Sequence, residues 1–296
     1  MPSPKTYAGR GSPWRQRLHN YLTLARISNS PTVITDVLAG AALAGVLRPN
    51  DTVALLAIAL ILFYTAGMLL NDVCDYAVDC REKPERPLPS GLVSRSEATF
   101  VVAGLFGIGG AMLWYIGVTP FLSGLSLIAV IVAYDLWHKT NPFSPLFMAA
   151  ARVLVYVTAF LAFSPRPSAA LLASGGLLVL YVVGLTYVAK TENRPSATKY
   201  WPAVALFLPA AYFAFLLPTV ALPILLPLFI GWVAYSISFV YRSKSRNVGG
   251  AIGRLIAGIA LYDSLVLAAA GSLFGVVLAL VAFAATLFLQ RYIKGT

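Results

Sequence analysis

Apolar residues run through this chain in long blocks, with neither the two-residue alternation of a half-buried strand nor the single stripe of a surface helix. Blocks of membrane-spanning length fall at 28–47, 53–73, 98–117, 119–137, 145–163, 169–189, 200–217, 219–241, 250–271 and 273–290. The pattern predicts an all-α polytopic membrane protein of nine to ten transmembrane helices. The count turns on Gly271-Ser272, which is either a kink inside one long span or a turn between two. A turn returns Arg291 and Lys294 to the side that carries most other basic residues, and this favours ten.

Composition agrees: 59% of residues are hydrophobic, 11% are charged, and the mean hydropathy is +0.79. No leader with an apolar core and small-residue cleavage site is expected. Residues 1–27 read as a basic cytoplasmic tail. Its first part is loosened by Pro2, Pro4, Gly9, Gly11 and Pro13, and the stretch from Trp14 to Arg26 interleaves apolar and basic residues as an interfacial segment does. Residues 28–296 read as a single transmembrane domain. The two cysteines, Cys74 and Cys80, are too far apart for a C-x-x-C pair and read as helix-filling thiols.

The net charge of +11 might suggest nucleic acid, but its placement excludes that reading. Apart from Arg48, Arg152 and Arg166, every Lys and Arg lies in the N-terminal segment, in an even-numbered loop, at the C-terminus or, as Arg254, just inside the block that follows such a loop. This is the positive-inside pattern, with both termini cytoplasmic. It favours anionic lipid or phosphate on that face, with no nucleic acid partner. The expectation is an integral, multi-pass protein of a bacterial inner membrane.

Acidic residues are few, and most sit where solvation gives no easy excuse for them: Asp36, Asp72, Asp75, Asp79, Asp135, Glu192 and Asp263. Three of these close the second span in the run Asn71-Asp72-Val73-Cys74-Asp75-Tyr76-Ala77-Val78-Asp79. On one helix, Asp72, Asp75 and Asp79 fall within an arc of roughly 60°. Like charges so placed repel, so a cation is expected among them. Oxygen donors alone suit Mg²⁺, which takes one or two carboxylates together with water and substrate phosphate. The following loop offers Arg81, Lys83 and Arg86, and Arg86-Pro87-Leu88-Pro89-Ser90-Gly91 is expected to be a shaped lid.

The run N-D-x-x-D-x-x-x-D with a downstream R-P-L-P-S-G resembles the first signature of the UbiA superfamily of intramembrane prenyltransferases. The resemblance implies a helical bundle around a central cavity opening to the cytoplasm and to lipid. It further implies Mg²⁺-dependent transfer of an isoprenoid from its diphosphate to a small acceptor, expected to be aromatic. Carried over by residue, Asn71, Asp72, Asp75 and Asp79 form the first metal-diphosphate site. The family's Tyr-x-x-x-Lys pattern is matched by Tyr134, with His138 in the fourth place and Lys139 one residue later. Tyr134 and Tyr187, along with Trp137 and Tyr181, offer faces to a developing carbocation. The second signature is thinned to Thr186-Tyr187-Val188-Ala189-Lys190-Thr191-Glu192-Asn193. There, either Lys190 replaces a second metal by direct charge, or Glu192 holds that metal together with the diphosphate. This ending, with Asp263 in the ninth span, resembles an EboC-like branch.

The expected site is therefore Asp72, Asp75, Lys190 and Tyr134 as catalytic residues, and Asp72, Asp75, Asp79 and Glu192 as metal ligands. Asn71, Arg81, Arg86, Lys139, Arg152, Tyr187 and Asn29 are expected to bind substrate. Arg152, inside the fifth span, is either a phosphate ligand or the structural partner of Asp135 or Asp263. The rival function is a carrier that binds a prenylated lipid or metabolite without turning it over, suggested by Asp36 and Asp263 within the membrane. A phosphotransferase of CDP-alcohols would show D-G-x-x-A-R ahead of its aspartates, and nothing of that kind precedes Asp72.

Overall fold

The computed structural model describes residues 13–139, 141–192, 199–215, 220–241 and 246–293, without the side chains of Pro13, Arg15 and Gln16. The expected tail at 1–12, Arg194, the turn around Pro218, Arg242, Lys244 and Lys294 lie outside these residues. The regular elements among the described residues are all helices, with no strand. A short helix α1 (Pro13–Leu24) and a 3-10 turn (Ile27–Asn29) lead into α2 (Ser30–Leu43). Then come α3 (Asp51–Cys74), α4 (Tyr76–Glu82), α5 (Arg95–Ile116), α6 (Val118–Trp137), α7 (Ser144–Leu161) and α8 (Ala169–Ala189). The chain ends with α9 (Trp201–Ala214), α10 (Leu222–Tyr241), α11 (Val248–Ala269) and α12 (Leu273–Leu289).

Ten of these helices answer the ten expected apolar blocks. Seven are long and apolar enough to cross a membrane, whereas α2, α9 and α12 are shorter. The protein is an integral membrane protein. The question at Gly271 is settled by its backbone. Gly271 takes φ +83, its N–H donates to Ala268 O at 3.0 Å, and the Ser272 N–H donates to Leu267 O at 2.9 Å. That pairing is a Schellman stop, which a glycine at this position makes possible. Beyond it α12 runs back along α11, and Gln290 Nε2 donates to Gly253 O at 3.0 Å. Gly271-Ser272 is a turn, as the charge argument required.

Helix α11 lies at the centre. Its most apolar window is 83% buried, against 17% for the peripheral α5. It packs against α2, α8, α10 and α12, and α2 in turn packs against α3, α7 and α12. Gly40 permits the closest approach of α2 to α7, because a Cβ there would stand 2.5 Å from the Tyr156 carbonyl oxygen. A second, smaller core joins Leu24 and Ala25 to Leu69 and Val73 of α3, Leu88 and Val93 of the following loop, and Ala98 and Val102 of α5. That core seats the loop bearing Arg86 on the end of the bundle.

Candidate functional site

Helix α3 starts on an Asn50 cap, whose side chain accepts from the Val53 N–H at 3.0 Å, and runs for 24 residues to Cys74. Asp75 then interrupts it, and α4 begins at Tyr76. The three acids expected on one continuous helix are thus divided by a joint. Asp72 and Asp79 still share a face, because both meet Arg86: Nη1 lies 2.7 Å from Asp79 Oδ2 and 3.4 Å from Asp72 Oδ1. Arg26 Nη2 adds a third contact, donating to Asp72 Oδ1 at 3.1 Å. Asp75 turns instead to the end of α6, where Lys139 Nζ is 2.7 Å and His138 Nε2 3.5 Å from its carboxylate. Repulsion within the stripe is relieved by sharing it among four cationic or titratable partners.

Among the described residues, no three or more His, Cys, Asp or Glu side chains are drawn together as a metal-binding group. What the structure supplies is the donor chemistry. Three carboxylates and the Asn71 amide stand at one end of the bundle, each carboxylate already holding a positive group. Asn71 Nδ2 donates to Asp135 Oδ1 at 3.1 Å, while Asp135 Oδ2 is buried without a hydrogen-bond partner. All of these donors are oxygens, which fits a hard divalent cation. Outside the spans, electrostatics tune the pair further. Burial alone would raise the Asp75 carboxyl, but hydrogen bonds from His138 and Lys139 outweigh it and hold Asp75 below its ordinary value. The same bond raises the His138 imidazole, against the effect of its burial.

The loop is shaped, as expected. Ser90 N–H donates to Arg86 O at 3.0 Å, Val93 N–H to Pro87 O at 3.1 Å, and Gly91 takes φ +77. Leu88 is buried beneath it. Ser94 then caps α5, accepting from the Glu97 N–H at 3.1 Å. Arg81 is exposed and makes no ion pair among the described residues.

Other expected residues fall in separate places. Tyr134 stacks on the His138 ring at 5.0 Å and so joins the Asp75 group. Lys190, at the end of α8, donates to Ser144 Oγ at 3.0 Å and lies 5.5 Å from the Tyr187 ring centroid. Its partial burial lowers the ammonium below its ordinary value. Glu192 faces Gly249 at the start of α11. No hydrogen bond or ion pair among the described residues joins Lys190, Tyr187 or Glu192 to the Asp72 group. Asn29 is buried, and its Oδ1 accepts from Gln290 Nε2 at 3.0 Å. Tyr181 is a core residue whose hydroxyl donates to Leu255 O, and Trp137 is exposed at the surface. Arg152 pairs with Asp36 deep in the bundle.

Two residues of the end cluster were missed by sequence reasoning. Arg26 was counted only as a topological charge. It is the one described non-glycine residue with positive φ, at +43, and its carbonyl accepts from Tyr64 Oη at 3.1 Å. Its place directly ahead of Ile27-Ser28-Asn29 was the available signal. Asp135 was noted as an acid at membrane depth, but nothing in its spacing linked it to Asn71.

The fold and this end cluster define a class: a helical integral membrane protein whose acid and basic chemistry is gathered at one end of the bundle. Residues 33–249 match the UbiA prenyltransferase family, and the chain belongs to that family. A digeranylgeranylglyceryl phosphate synthase of Thermococcus kodakarensis is 33% identical over 109 residues, covering 37% of this chain and 39% of the relative. One from Sulfolobus acidocaldarius is 27% identical over 168 residues, covering 57% and 58%. The chain thus spans 39% and 58% of the length of these two curated relatives. A UbiA homologue from Archaeoglobus fulgidus, solved bound to GPP and Mg²⁺, superposes with a TM-score of 0.62 over 85% of this chain and 99% of its own. At 15% identity that likeness shows the fold alone. Both curated relatives are archaeal, and they give the bacterial-membrane expectation no support.

Proposed function

We propose that this protein transfers an isoprenoid group from its diphosphate to a small nucleophilic acceptor, at the basic end of the bundle and in a Mg²⁺-dependent way. The observation that carries this is the meeting of Asp72, Asp75 and Asp79 with Arg26, Arg86, His138 and Lys139 at the end of an apolar bundle. Asn71, Asp72, Asp75 and Asp79 would hold Mg²⁺, with Glu192 as the candidate for a second ion. When bound, the metal supplies positive charge to the leaving diphosphate. Arg26, Arg86 and Lys139 then exchange carboxylate for phosphate oxygens, for which the arginine fork is suited. The allylic C–O bond breaks, the acceptor forms the new bond to that carbon and loses its proton, and the Tyr134 face stabilises the cation between the two events. The isoprenoid chain would lie in the apolar cavity that the family resemblance implies. Lys190 and Tyr187 stand at the end of α8 as a second station for anionic substrate.

The basic end faces the cytoplasm by the positive-inside rule, with both termini on that side. The acceptor has two readings. The sequence suggests an aromatic ring, whereas the names of the archaeal relatives favour a glyceryl phosphate head. Incubation of the purified protein with labelled isoprenyl diphosphates of several lengths, offered phenolic and glyceryl phosphate acceptors in turn, separates them by mass spectrometry. A prenylated product with either acceptor supports the proposal. Binding of the labelled diphosphate with no product from either acceptor, and none from a membrane extract, would leave the carrier reading in its place.

A further inference from the structure

A second group of charges lies far from this end. Gln290 Nε2 reaches both Asn29 Oδ1 and Gly253 O, at 3.0 Å each, and marks one level in the bundle. Asp36 is seven residues beyond Asn29 on α2, about 10 Å deeper, and Asp263 is ten residues beyond Gly253 on α11, about 15 Å deeper. Both carboxylates are wholly buried. Arg152 of α7 brings Nε to 2.7 Å from Asp36 Oδ2, and its Nη2 donates to Thr32 Oγ1.

The count is two carboxylates to one guanidinium. No other Lys or Arg among the described residues reaches either acid by ion pair or hydrogen bond. The nearby Tyr262 and Tyr181 hydroxyls are committed to the Ser174 and Leu255 carbonyls. With both acids ionised, the centre of the bundle would hold an uncompensated charge far from water, at a cost that buried groups avoid by taking up a proton.

The hydrogen bonds around the two acids leave a place for that proton. Asp263 meets the Tyr156 hydroxyl at Oδ1 and the Thr35 hydroxyl at Oδ2, and because Thr35 Oγ1 also faces the Thr32 carbonyl at 2.9 Å, its single proton cannot serve both oxygens. Asp36 is different. The approach of Arg152 is close but poorly aligned, so neither Asp36 oxygen has a hydrogen-bond partner of good geometry although the residue is fully buried. The two acids meet the same neighbours: Thr35, next to Asp36 on α2, bonds Asp263, while Arg152 and Tyr156, one turn apart on α7, hold Asp36 and Asp263 respectively.

We propose that Asp36, Arg152 and Asp263 form a proton-binding site in the middle of the bundle. A single proton held by the two acids leaves the group neutral. A metal cation is the poorer occupant, because the guanidinium already supplies positive charge against Asp36.

Infrared difference spectroscopy on the full chain in lipid tests this directly. Wild type minus Asp36→Asn should show a protonated-carboxyl C=O stretch that shifts in D₂O. If the difference shows instead only the loss of an ionised-carboxylate band, the pair holds no proton and the proposal falls. A charge series gives a second measurement. Asp36→Asn should leave the yield of folded protein close to wild type, because the amide imitates the protonated acid. The double variant Asp36→Asn/Asp263→Asn should lose most of it by stranding Arg152, and adding Arg152→Gln should restore part. A single Asp36→Asn variant as damaged as the double variant would contradict the site.

Discussion

The two charged groups of this protein are built on opposite balances. At the basic end, three carboxylates face Arg26, Arg86, Lys139 and titratable His138, and the partners come from a loop, a helix end and the segment before α2. In the interior, two carboxylates face one guanidinium, and each group sits on a helix that is packed on several sides. The end cluster can exchange partners at little cost, because Arg86 and Lys139 are partly exposed at the edge of the bundle. The interior cluster cannot, since each lost contact leaves a charge in an apolar medium. Charge that is to meet a ligand is held loosely at an edge, and charge that ties helices together is locked in the middle.

That contrast breaks most visibly at Arg152. Replacing it with Met strands two acids in the core, a change that costs about 3–5 kcal/mol for a buried pair. We expect loss of folded protein in size-exclusion profiles, not a folded protein with lowered turnover. Asp72→Ala should do the reverse: a folded protein with diphosphate release lowered by about 100-fold or more, by analogy with removing a group that serves transition-state charge. Asp75→Ala should behave likewise, and unchanged release in both variants would remove the acids from the site. A smaller effect is expected at Gly40, where an added Cβ would meet the Tyr156 carbonyl at 2.5 Å. Gly40→Ala should separate α2 from α7 and lower thermal stability by about 1–3 kcal/mol, measured by thermal melting in detergent. Smallest is Ser94→Ala, which removes the α5 cap under the lid. It should cost about 1 kcal/mol, with the change in amide exchange confined to the first turn of α5.

Much of this architecture was legible in the sequence, because a membrane imposes few solutions. Apolar block length gave the helices, and the position of Arg291 beyond Gly271 gave the last turn. The Asp72-Asp75-Asp79 run and the shaped Arg86–Gly91 loop could be read because each is a local pattern, contained within one span end and the loop after it. What could not be read is where distant segments meet. Nothing in the spacing says that Arg26 crosses to Asp72, that Asp135 takes the Asn71 amide, or that Asp75 leaves its stripe for Lys139. Arg152 illustrates the limit. Its need for an anionic partner was plain, but the expected structural partners were Asp135 and Asp263, and helix packing brings Asp36 to it instead.

The central claim is that the acids at the basic end bind a metal-diphosphate and promote its departure. The most direct measurement is release of inorganic diphosphate from a labelled isoprenyl diphosphate by the purified protein in lipid. It should be run with Mg²⁺, with EDTA, and with the Asp72→Ala variant alongside wild type. The account predicts release that requires Mg²⁺ and falls by about 100-fold or more in the variant. Release that persists in EDTA, or that is equal in wild type and Asp72→Ala, would contradict it.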